Sequence, residues 1–223
     1  RLKKRLKDNL RSVLLYGILA PGEHYGRHSD INILIVLGNV DLDSLLGVAR
    51  AKGCFKFRNF DTLLLSEGYL ENATDTFPIE FLDMKDDYIV LSGGDCLKGL
   101  DIDIRNLRHQ CEWELKSKII RLQQFFMNSG GKEAALRKFL LKNMPSFIVV
   151  FKSILRLKKI REKDKEKILN AIAGEFNLDS GILFDLWQAR KDGRKISNIR
   201  QAFGKFLSEL QRLSDAVDGL STD

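Results

Sequence analysis

The chain has 223 residues, 44% of them apolar, and carries a net charge of +7 with a pI near 9.3. That length suits one or two domains of about 100–200 residues, and the apolar share is enough for a real core. No apolar run reaches the roughly 18 residues of a membrane span; the longest candidate, Phe147 to Leu155, is interrupted by Lys152. The basic stretch Arg1 to Arg11 lacks an apolar h-region and does not read as a signal peptide. Three widely spaced cysteines, Cys54, Cys96 and Cys111, make neither a disulfide framework nor a zinc motif. A reducing cytosol is the expected compartment. The positive balance admits a polyanionic partner, nucleic acid or nucleotide phosphate. The basic run "RLKKIREKDKEK", Arg156 to Lys167, is interleaved with acids, as an exposed helix surface is.

In chain order, Leu2, Leu6 and Leu10 repeat with helical spacing. "SVLLYG", Ser12 to Gly17, is a short strand, and Gly22 to His28 reads as loop. "INILIVL", Ile31 to Leu37, is almost continuously apolar, as a strand buried on both faces is. Asp41 suits the N-cap of a helix over Leu42–Lys52, with Leu42, Leu45, Leu46 and Ala49 on one side. "DTLLLS", Asp61 to Ser66, predicts a third strand, and Glu67–Ala73 a short helix. "FPIEFLD", Phe77 to Asp83, predicts a fourth strand, opening near Pro78. "YIVLSG", Tyr88 to Gly93, predicts an edge strand. Beyond about Gly99 only helical periodicity remains. A long helix covers Ile104 to Met127, with Trp113 against the core and Glu112–Lys116 and Glu114–Lys118 pairs outside. "NSGG" closes it. Helices follow over Lys132–Lys142, Pro145–Leu157, Lys163–Phe176, Ser180–Lys191 and Ile196–Asp218. The expected class is α+β: a small mixed-sheet unit over residues 1–99 and an all-α bundle over 100–223.

The chemistry concentrates in "LLYGILAPGEHYGRHSDINILIVL", Leu14 to Leu37. Gly17 ends the first strand and lets a phosphate approach the backbone. Asp30 and Asn32, two apart, share a face by strand alternation. Glu80 sits between Ile79 and Phe81 in the expected fourth strand. If these strands are neighbours, Asp30, Asn32 and Glu80 converge, and three oxygen-bearing side chains suit a hard cation such as Mg²⁺ and a triphosphate. The histidines His24 and His28 and the cation Arg27 lie in the intervening loop.

These pieces, "LLYGI", "SDIN" and "PIEFL", resemble the DNA polymerase beta-like nucleotidyltransferases, with the closest look to the kanamycin nucleotidyltransferase-like and minimal branch. The resemblance covers about Leu10 to Gly94. It implies transfer of a nucleoside monophosphate from an NTP to an acceptor hydroxyl. It implies catalytic and metal-binding roles for Asp30, Asn32 and Glu80, Mg²⁺ as cofactor, and nucleotide contacts from Gly17, Ile18, Arg27 and Ser29. Homodimers through the helical part are common in that branch. Two positions depart from the pattern. Ile18 stands where the family has Ser, and Asn32 where it has its second metal-binding Asp, which removes a full negative charge from the site. Weakened or absent turnover is expected, since a two-metal clamp needs both ions. The alternative is a non-catalytic nucleotide-binding or regulatory module, including a toxin–antitoxin-like partner role.

Overall fold

The computed structural model describes residues 2–17, 31–53 and 60–220. The chain is α+β and divides into two compact units, Arg1–Asp103 and Ile104–Asp223. The predicted loop Gly22 to His28 lies outside the described residues.

The first unit is built on a four-stranded mixed sheet. It comprises β1 (Leu10–Tyr16), β2 (Ile31–Leu37), β3 (Phe60–Ser66) and β4 (Tyr88–Gly93), in the order β3-β2-β1-β4. β1 runs antiparallel to both β2 and β4, while β2 and β3 are parallel. Parallel neighbours need a crossover, and the helix α2 (Leu42–Gly53) lies between them in sequence. A short helix α1 (Leu2–Leu6) precedes the sheet; α3 (Glu67–Asn72) and α4 (Pro78–Asp86) follow β3.

Side-chain alternation divides the core between the two sheet faces. Leu14, Leu34 and Val36 pack with Leu70 of α3, Phe81 and Met84 of α4, and Leu97 and Leu100. Val13, Ile35 and Leu37 pack on the other face with Leu6 of α1 and Val48 of α2. The apolar run of β2 is thereby explained: Leu34 to Leu37 are all buried because both faces are covered. Asp41 caps α2 as expected, its Oδ1 accepting the Ser44 N–H at 2.7 Å. That hydrogen bonding holds the Asp41 carboxyl below the ordinary carboxylate range. The side of α2 turned inward is not the leucine side. Ser44, Val48 and Ala51 are buried, with Asn9 Nδ2 donating to Ser44 Oγ at 3.0 Å, and Leu42, Leu45 and Leu46 are exposed.

One expected strand is a helix. "FPIEFLD" forms the start of α4, with Pro78 in the first turn, where its missing N–H costs nothing. The Phe81 N–H donates to the Phe77 carbonyl at 3.1 Å and closes that turn. Pro78, Phe81 and Met84, spaced by three, are buried, and this periodicity outweighs the two-residue alternation around Glu80.

The second unit holds α5 (Ile104–Ser129), α6 (Glu133–Leu157), α7 (Lys165–Phe176), α8 (Ser180–Lys191) and α9 (Ile199–Asp218). Gly130 and Gly131, at φ 60° and 65°, turn the chain between α5 and α6, a conformation glycine adopts without a Cβ penalty. The two helices expected either side of Asn143 are one, with Pro145 inside α6. The core contains Leu115, Leu140, Phe151 and Leu186, with Phe147 and Phe206 edge to face at 5.0 Å. The Glu112–Lys116 and Glu114–Lys118 pairs form, at 2.6 and 2.9 Å. Trp113, expected in the core, is exposed instead. It falls two residues after Cys111 and two before Leu115, and both of those face inward. Among the described residues no helix is long and apolar enough to cross a membrane.

Candidate functional site

The β1–β2–β3 register brings motif residues together at one end of the sheet. Tyr16 is opposite Asn32, and Asn32 is opposite Asp61. On the far side of β1, Tyr16 is opposite Tyr88. Directly paired residues point to the same face, so Asp61, Asn32, Tyr16 and Tyr88 form a row across all four strands.

Gly17 sits immediately beyond this row at φ +63°. A Cβ built on it would lie 3.2 Å from Asn32 Nδ2. The Asn32 carboxamide thus lies against the bare Cα, and Gly17 is needed both for its left-handed backbone and for its lack of a side chain. The Gly17 N–H donates to the Asp87 carbonyl at 3.0 Å, which anchors the end of β1.

Electrostatics set the row apart from the apolar core above it. Asp61 is exposed, and its Oδ1 accepts the N–H of Thr62 at 2.8 Å. Burial, and secondly the nearby Asp61 charge, push the Tyr16 phenol above its ordinary pKa. Tyr16 is therefore a neutral hydrogen-bonding group at pH 7. Tyr88 is also raised, first by burial and then by its hydrogen bond to Asp95. Its hydroxyl is 3.0 Å from each Asp95 carboxylate oxygen, and Asp95 also accepts the Lys98 N–H at 3.1 Å.

Of the residues expected at the site, Gly17 and Asn32 are brought into contact. Ile18, Arg27, Ser29 and Asp30, with His24 and His28, lie outside the described residues. Glu80 is not in the sheet; it is an exposed residue of α4. The acid that the strands place beside Asn32 is Asp61, which the sequence reading had used only to open a strand. No local signal marks it, because the strand that lies beside β2 is set by the sheet order and not by spacing along the chain.

The donor set can be tested against a divalent cation. Mg²⁺ is commonly held by one or two carboxylates, with phosphate oxygens and waters completing six ligands. Asp61, with Asn32 paired to it on the neighbouring strand, would suit one such ion arriving with a nucleotide. Among the described residues no group of three His, Cys, Asp or Glu side chains comes together to hold a metal.

Compared with models of known protein families, the chain matches none, and no curated protein matches it in sequence.

Proposed function

We propose that this chain is a nucleotidyltransferase-fold protein that binds a nucleoside triphosphate at the Gly17–Asn32–Asp61 end of its sheet. Nucleotidyl transfer to an acceptor hydroxyl is weak or lost. The observation that carries this reading is the juxtaposition itself: a side-chain-free Gly17 against Asn32, with the Asp61 carboxylate on the next strand. Gly17 brings no side chain to this end of the sheet, and with its N–H engaged by the Asp87 carbonyl the phosphates would be held through the cation rather than by the Gly17 amide. The Asp61 carboxylate repels a bare triphosphate, so binding requires a cation between them. When bound, Mg²⁺ supplies charge neutralisation of the phosphates. Asn32 turns its Nδ2 toward Gly17, and its amide oxygen would be a neutral ligand where an Asp would carry charge. The Tyr16 hydroxyl, neutral at pH 7, is a donor beside them. Among the described residues this end of the sheet presents one carboxylate, and Asn32 stands where the resemblance implies a second metal-binding Asp, which favours binding over turnover.

The test is thermal stability with ATP, GTP, CTP and UTP, each with and without Mg²⁺. A ligand at 100 times its Kd stabilises by about 2.7 kcal/mol, or roughly 5–10 °C for a chain of this size. A shift that requires Mg²⁺ supports the reading; no shift with any of the four contradicts it.

A further inference from the structure

Between α5 and α9 of the helical unit lies a groove of about 480 Å³, within the usual size range of small-molecule sites. Its walls are apolar: Phe126 and Met127 on the α5 side, Phe203 and Leu207 on the α9 side. The Phe126 and Phe203 rings lean together, 5.2 Å between centroids. Gly204 also lines the groove, and a Cβ added there would meet nothing within 4 Å. Two polar side chains complete the lining, Arg200 and Gln123. The two helices run antiparallel. Arg108, early in α5, donates to the Asp218 carbonyl at the end of α9 at 3.4 Å, while Arg200, early in α9, reaches Gly131 just beyond α5. Arg200 therefore stands at one end of the groove and Gln123 toward the other. The stretch from Arg200 to Leu207 covers about 10 Å of helix.

Arg200 is tethered yet keeps binding capacity. Its Nε donates to the Gly131 carbonyl at 2.9 Å, with Glu133 Oε1 3.9 Å from the same nitrogen. Among the described residues neither of its Nη groups has a partner. A guanidinium offers N–H donors in a planar fork that matches a carboxylate. We propose that the groove binds a medium-chain aliphatic carboxylate, with its head on Arg200 and its tail along Phe126, Phe203 and Leu207. The distribution of polarity selects this class. The single cation at one end favours a negative head, and the apolar walls beyond it favour a hydrocarbon tail. Glu133 beside the guanidinium works against a doubly charged phosphate, so one negative charge is the better match. A saturated chain of about eight carbons spans the roughly 10 Å from Arg200 to Leu207. Gln123 marks the far limit, where a longer tail meets a polar side chain. The site lies within the helical unit and does not rest on the nucleotide reading.

The test is a proton–nitrogen chemical-shift titration of the full chain at pH 7 with sodium octanoate and, separately, with octanol. Octanoate is expected to shift the amides of Phe126, Gly131 and Gly204 saturably. A single dissociation constant of about 0.1–5 mM is expected, the range for a ligand of about 10 non-hydrogen atoms. Octanol, with the same tail and no charge, is expected to bind about tenfold more weakly, the usual scale for a charged contact. Arg200→Gln removes the preference for octanoate over octanol. Gly204→Leu fills the groove and abolishes the octanoate shifts at Phe126 and Gly131. It remains folded and melts no lower than the parent, because the added side chain enters open space and Leu is the better helix former. The proposal is overturned by the absence of saturable shifts at these amides up to about 10 mM octanoate, or by octanol binding the parent as tightly as octanoate. Undiminished octanoate binding in Gly204→Leu, or an unchanged preference for octanoate in Arg200→Gln, overturns it equally.

Discussion

Replacing Asn32 by Asp tests the geometry of the sheet end and its chemistry together. The register puts residue 32 directly opposite Asp61, and adjacent strands lie about 4.8 Å apart. Two carboxylates about 5 Å apart repel by about 0.8 kcal/mol in water and about 3 kcal/mol at an effective dielectric of 20. Asp61 is exposed and Asn32 half-buried, so the lower part of that range applies, and Asn32→Asp destabilises the metal-free protein by about 1–2 kcal/mol at pH 7. The repulsion needs both groups ionised. The penalty is therefore present at neutral pH. Mg²⁺ reverses the sign. It screens the pair and finds a second carboxylate, so millimolar Mg²⁺ raises the stability of the variant more than that of the parent. Urea melts at pH 7, with and without Mg²⁺, measure both effects. If Asn32→Asp is neutral at pH 7 and indifferent to Mg²⁺, residue 32 and Asp61 do not share a site.

Two further predictions concern the scaffold. A Cβ at Gly93, where φ is +86°, would lie 1.9 Å from the Arg11 carbonyl oxygen. Gly93→Ala therefore destabilises the first unit by about 4 kcal/mol or more, whereas Gly130→Ala, at φ +60° with open space around it, loses only about 1–2 kcal/mol. Equal urea midpoints for the two would refute the contrast. Cys111 is fully buried, and burial pushes its thiol up to about 12. In a Cys54→Ser, Cys96→Ser background, a thiol reagent at pH 8 is expected to label Cys111 only as fast as the helical unit opens; rapid stoichiometric labelling of the native protein would contradict that placement.

Much of this architecture is legible in the sequence, because its strands are short apolar runs with clear ends. β2 announces itself as buried by its continuous apolar character and β3 as a strand by its aliphatic run, and α5, α8 and the glycine turn after α5 follow from periodicity and capping. The misreadings have local causes. Across "FPIEFLD", seven residues satisfy both a two-residue and a three-residue period, and the buried trio Pro78, Phe81 and Met84 decides for helix only once Met84 is counted. Pro145 suits a first helical turn by its sequence, yet α6 carries it internally. Trp113 is expected against the core of an amphipathic helix, yet its position between the inward-facing Cys111 and Leu115 points it outward. For the site, Gly17 and Asn32 are readable as a pair from their motif. Asp61 is not, because its role depends on which strand lies beside β2, a non-local fact that spacing along the chain does not carry.

The central claim is most directly tested by calorimetric titration of nucleoside triphosphates with Mg²⁺ into the parent, Asp61→Ala and Glu80→Ala. The parent is expected to bind at least one of ATP, GTP, CTP and UTP, and only with Mg²⁺. Asp61→Ala is expected to lose about tenfold or more in affinity, the usual scale for losing a charged contact. Glu80→Ala, on α4, is expected to bind as the parent does. No binding of any of the four to the parent, or binding that survives Asp61→Ala and fails in Glu80→Ala, would contradict a nucleotide site at the Gly17–Asn32–Asp61 end of the sheet.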